Sequence, residues 1–115
     1  MTNDLPKDSD GDALRRLISH GSDLSKPMEI DFAVAVPDEI AGHAVAERAT
    51  PLGFRAKVYH HEPTDSWTCN CAKTITPTYE EIIAIQKQLD QLSAPFGGKS
   101  DGWGSFGNAV AARRD

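Results

Sequence analysis

Glu29-Ile30-Asp31-Phe32-Ala33-Val34-Ala35-Val36 alternates without a break. Ile30, Phe32, Val34 and Val36 share one face of an extended chain, and Asp31, Ala33 and Ala35 share the other, because successive strand side chains point to opposite sides. The first face is built for burial. The small residues on the second predict a central strand whose other side is lightly covered or open to a partner.

Working outward, Pro37-Asp38-Glu39 reads as a helix start, with proline in the first turn and acids favoured there by the helix dipole. Ile40, Ala41, Ala44, Val45 and Ala49 give this helix a thin apolar stripe, weakened slightly by Gly42 and closed by Pro51 and Gly53. Phe54-Arg55-Ala56-Lys57-Val58-Tyr59-His60 alternates again. Phe54, Ala56 and Val58 turn inward, leaving Arg55, Lys57, Tyr59 and His61 on one basic and aromatic face. His61 to Ser66 is a hairpin loop. A third strand follows over Trp67–Thr74, with Trp67, Cys69 and Cys71 on one side.

Thr78 with Glu81 forms a capping box that opens the longest helix. Ile82, Ile85, Gln86, Leu89 and Leu92 form its buried stripe, and Phe96 follows at its end. On the N-terminal side, Leu14, Leu17 and Ile18 recur at helical spacing. Asp10 or Asp12 suits the N-cap or first turn of that short helix, and Gly21 stops it after His20. A fourth strand is expected around Trp103 to Phe106. Residues 1–9 are expected to be flexible, residues 10–106 one domain and residues 107–115 a flexible tail.

The order is helix, then strand–helix–strand–strand–helix–strand. Its last six elements match a ferredoxin-like split β-α-β sandwich of the α+β class. Four antiparallel strands in spatial order 4-1-3-2 would carry both long helices on one face, with an extra N-terminal helix.

A chain of 115 residues fits one domain. Its net charge of −5 argues against a general nucleic-acid binder, which needs a basic surface to neutralise phosphates, although 12 Lys and Arg could still cluster. Residues 1–12 are polar and acidic without an apolar signal core, and no run of apolar residues is long enough to span a membrane, so a cytoplasmic location is expected. Cys69 and Cys71 read as small buried apolar residues: their spacing is awkward for a disulfide and too sparse for a metal.

His20, His43, His60 and His61 do not converge in sequence with carboxylates, and His60 and His61 point to opposite faces of a strand. The G-x-G-x-x-G string from Gly102 to Gly107 lacks the βαβ unit that would cradle a pyrophosphate. Nor is there a serine nucleophile elbow. No catalytic residue, metal or cofactor is expected.

Two surfaces stand out. Arg55, Lys57, Tyr59 and His61 resemble the open face of an RNA-recognition sheet, but with a single tyrosine and without its motif, so a solvated face is the alternative. Gly97-Gly98-Lys99-Ser100-Asp101-Gly102-Trp103-Gly104-Ser105-Phe106 surrounds a tryptophan with glycines that permit helix termination, turns and close approach. Trp103 there is either a plug under the C-terminus or an anchor for a partner.

Asp101-Gly102-Trp103-Gly104, with the earlier Asp10-Gly11-Asp12 and Gly21-Ser22-Asp23, resembles the family called regulator of ribonuclease activity B, over roughly residues 10–106. The resemblance implies a ferredoxin-like fold and a non-catalytic bacterial protein. It also implies that the protein binds and restrains a ribonuclease E-type endoribonuclease, with Asp101, Gly102, Trp103 and Gly104 as signature positions. The resemblance further implies a strongly acidic tail, where this chain reads Ala111-Ala112-Arg113-Arg114-Asp115. Other readings of the same residues are an RNA- or small-ligand-binding module using the open sheet face, and a homodimer that buries that face through Ala33 and Ala35.

Overall fold

A computed structural model describes residues 5–108. Residues 1–4 of the expected flexible N-terminal segment and residues 109–115 of the expected tail lie outside the described residues.

The elements follow in the order α1 (Ser9–Ser19), β1 (Met28–Val36), α2 (Glu39–Ala49), β2 (Arg55–His61), β3 (Ser66–Ile75), α3 (Tyr79–Ser93) and β4 (Lys99–Gly104). The strands form one antiparallel sheet in the order β2-β3-β1-β4, as the ferredoxin-like reading expects. The register sets Phe32 opposite Cys71, Val34 opposite Cys69 and Ala56 opposite Cys71, so these side chains share one face. That face is the core. Ile30, Phe32, Val34, Cys69, Cys71, Val45, Ile82 and Leu89 are fully enclosed there. Each large aliphatic or aromatic side chain so buried contributes about 1.5–3 kcal/mol.

Local chemistry explains the helix ends. Thr78 Oγ1 accepts from the Glu81 N–H at 3.0 Å, and Asp38 Oδ1 accepts from the Ala41 N–H at 2.8 Å, so each satisfies an orphan donor of its helix. Of the two places expected for Asp10 and Asp12 in α1, both take the first turn: the cap is Asp8, which accepts from the Gly11 N–H at 2.8 Å. The Arg15 guanidinium bonds the Leu5 and Pro6 carbonyls, which ties the chain before the helix to it.

The structure corrects the sequence in three places. Ile40 is not in the buried stripe of α2 but 82% exposed, and Ala41, Gly42, Val45 and Ala49 face the sheet. The reason is distance. A Cβ on Gly42 would sit 2.9 Å from Val58 Cγ1, so only the helix's smallest side can lie this close to the sheet. The fourth strand spans Lys99–Gly104 rather than residues 103–106, and Phe106 lies beyond it in solvent. Gly104 approaches no neighbour closely: nothing lies within 4 Å of where its Cβ would be.

Candidate functional site

Strand β4 carries a bulge. Phe32 pairs with Trp103 and Val34 with Ser100, which leaves Asp101 and Gly102 together opposite Ala33. Two residues against one reverse the alternation, so Ser100 and Trp103 both turn to the core face although three positions separate them. Gly102 makes this turn at φ +92°, in the left-handed region that side chains disfavour.

Trp103 is thereby seated half-buried against the core, and its Nε1–H donates to Asp10 Oδ1 at 2.7 Å. The same oxygen accepts from Gln86 Nε2 at 3.1 Å. One carboxylate of α1 therefore joins β4 to α3. Of the signature positions, Gly102 shapes the strand, Trp103 locks it, and Asp101 and Gly104 stay exposed. The partnership of Asp10 and Trp103 spans 93 residues. The sequence displays both motifs but nothing in the spacing links them.

The second surface is the sheet face opposite the helices. Asn70 stands opposite both Lys57 and Ala33, Thr68 opposite both Tyr59 and Ala35, and Ala72 opposite both Arg55 and Asp31. Arg55, Lys57, Tyr59 and His61 are all exposed there, as their alternation predicts. Arg55 is ion-paired with Glu29, and Asn70 Nδ2 donates to Asp31 Oδ1 at 3.1 Å. Lys57 Nζ lies 5.7 Å from the Tyr59 ring centre, within cation–π range. Asp31, Tyr59, His61, Thr68 and Asn70 line a shallow hollow on this face. Ala33 and Ala35 remain half-buried, so no bulky side chain interrupts its centre.

The histidines are dispersed. His60 stacks on Trp67 with ring centres 4.3 Å apart and contacts Asp65, His61 contacts Thr64, and His43 contacts Glu39. Cys69 and Cys71 are free buried thiols with Sγ atoms 3.9 Å apart. The hydrogen bond with Cys69, together with burial, pushes the Cys71 thiol up. Among the described residues, no three His, Cys, Asp or Glu side chains gather to hold a metal ion, and no helix is long and apolar enough to cross a membrane.

Fold and surfaces together define an α+β sheet protein of ferredoxin-like topology, helices on one side and an uncovered, mixed-charge face on the other. Residues 7–105 match the sequence model of the family described as regulator of ribonuclease activity B. The match spans nearly the whole chain, and the chain belongs to that family of ribonuclease regulators. A search of curated proteins finds no match.

Proposed function

We propose that this protein is a non-catalytic cytoplasmic regulator that binds a ribonuclease E-type endoribonuclease and restrains it by contact. Family membership supplies the activity regulated. The observation that carries the mode of action is the uncovered sheet face, where Arg55, Lys57, Tyr59 and His61 stand in one exposed row on β2. Tyrosine and arginine are prominent in interface hot spots, since they combine large contact area with polar ends. A rigid sheet presents them with little ordering cost. Gly102 and Trp103 serve this reading by holding the far edge strand in place, with the exposed Asp101 and Gly104 beside them as a further contact. Regulation then consists of covering a surface the ribonuclease needs, with no bond made or broken here.

Calorimetric titration against the purified ribonuclease tests this. Wild-type protein is expected to bind, and Tyr59→Ala and Lys57→Glu each to weaken binding at least about tenfold, ~1.4 kcal/mol, with unchanged melting. Binding to single-stranded RNA with the same mutational losses, and none to the ribonuclease, would favour an RNA-binding module instead. Concentration-dependent dimerisation lost with Tyr59→Ala would assign the face to a second copy.

A further inference from the structure

The sheet ends in two edges, β2 and β4, and the fold treats them differently. An edge strand presents a row of unpaired backbone N–H and C=O groups, which pairs readily with another chain unless something blunts it. On β4 the blunting is visible. That strand is six residues long, carries the bulge at Asp101 and Gly102, and donates its Ser100 N–H to Asp90 Oδ1 at 2.8 Å. Strand β2 has none of these devices. Its seven residues run in unbroken register with β3, from Arg55 opposite Ala72 to His61 opposite Ser66. It contains neither proline nor glycine, and among the described residues no backbone group outside β3 bonds to it.

The side chains of β2 state what could lie beside it, because residues next to each other across a strand pair share a face. On the helix side, Ala56 and Val58 are only half-buried against the core. On the open side stand Arg55, Lys57 and Tyr59, and β2 itself carries no carboxylate. The carboxylates of that face lie on β1 and are engaged: Glu29 pairs with Arg55, and Asp31 accepts from Asn70. Lys57 has no ion pair among the described residues, and its Nζ lies over the Tyr59 ring. A second copy continuing the sheet antiparallel at β2 would bring both Lys57 cations onto one face, where like charges repel. A strand with carboxylates at alternate positions and apolar side chains between them meets Lys57 with opposite charge. It also completes the cover of Ala56 and Val58.

We propose that β2 accepts a fifth strand along its free edge, and that the occupant is an extended segment of the partner ribonuclease in which carboxylates alternate with apolar side chains. This rests on the regulator reading above and specifies how the β2 row is engaged. Main-chain hydrogen bonds supply the affinity, while Lys57 and the half-buried Ala56 and Val58 select the side chains.

Residue-resolved amide exchange of the full chain, alone and with the same ribonuclease, tests this mode of contact. In an antiparallel pair the N–H groups of successive residues point alternately to the two sides, so every second β2 amide faces outward. Those amides are expected to exchange fast in the free chain and to slow at least about tenfold in the complex. The same pattern shows whether Ala56 or Lys57 points outward, and proline is placed there, since an edge strand accepts it where the N–H faces solvent. Ala56→Pro or Lys57→Pro, so chosen, is expected to keep the slow exchange of β3 and to bind at least about tenfold more weakly, with Lys57→Ala as the side-chain control. The exchange comparison decides alone if the proline variant does not fold. A complex that forms without slowing the outward amides, or as tightly with the proline variant, while Tyr59→Ala weakens it, would overturn strand addition and leave the regulator reading intact. No binding by wild type would overturn the regulator reading itself, and the occupant assigned here with it. Slowing of the same amides in the chain alone as its concentration rises would overturn the assignment by making the occupant a second copy.

Discussion

Asp10 illustrates how one side chain can hold three elements. Its Oδ1 accepts from both the Trp103 indole and the Gln86 amide, in a half-buried setting where hydrogen bonds to a carboxylate are worth more than neutral ones. Removing the donor while keeping a ring separates the bond from the packing. Trp103→Phe is expected to lower unfolding stability by about 2 kcal/mol in urea denaturation. Trp103→Ala should cost about 3 kcal/mol, because it also vacates the core-facing site. Equal stability of wild type and Trp103→Phe would mean that the indole N–H contributes nothing. Glycine-flanked tryptophan and Asp10-Gly11-Asp12 were both legible as notable residues. Their mutual contact was not, because no local periodicity relates positions so far apart.

Among the elements, β4 depends most on a single backbone angle. Gly102 has nothing within 4 Å of a would-be Cβ, so space does not demand glycine, but its φ of +92° does. Gly102→Ala is therefore expected to cost about 1–2 kcal/mol from strain alone, measured by chemical denaturation. A loss below ~0.3 kcal/mol would show that the bulge relaxes freely. The turn-forming Asp101-Gly102 pair was readable from composition, yet its role as a bulge inside a strand was not, since a bulge exists only relative to a partner strand. Helix α2 teaches a similar lesson. Its residues permit two apolar stripes, and the close approach of Gly42 to Val58 selects the one that leaves Ile40 in water.

At the scale of the whole molecule, α1 is docked through polar rather than apolar ties at its N-terminus. Tyr79 Oη donates to Asp8 Oδ2, joining the cap of α1 to the first turn of α3. That hydrogen bond, and then the one from the Gly11 N–H, hold the Asp8 carboxyl below the ordinary carboxylate value. A folded-state pKa depressed in this way adds stability that is fully present above the unfolded value, about 3.9. It is lost as pH falls through the lowered folded value. Stability should therefore decline on acidification below about pH 4, with a smaller decline in Tyr79→Phe, whose Asp8 should titrate closer to the ordinary value in an NMR pH series. An unchanged Asp8 titration in that variant would remove the tie from the account.

The sequence by itself determined the helices and the first three strands, the antiparallel ferredoxin-like order, the capping of α3 by Thr78 and the exposed Arg55–Lys57–Tyr59–His61 row. All of these rest on periodicity and short-range chemistry, which act between neighbours in the chain. Only the tertiary structure decided that Asp10 receives Trp103 and that Ile40 faces water. Those outcomes depend on distances between elements remote in sequence, set by how closely their side chains let the backbones approach.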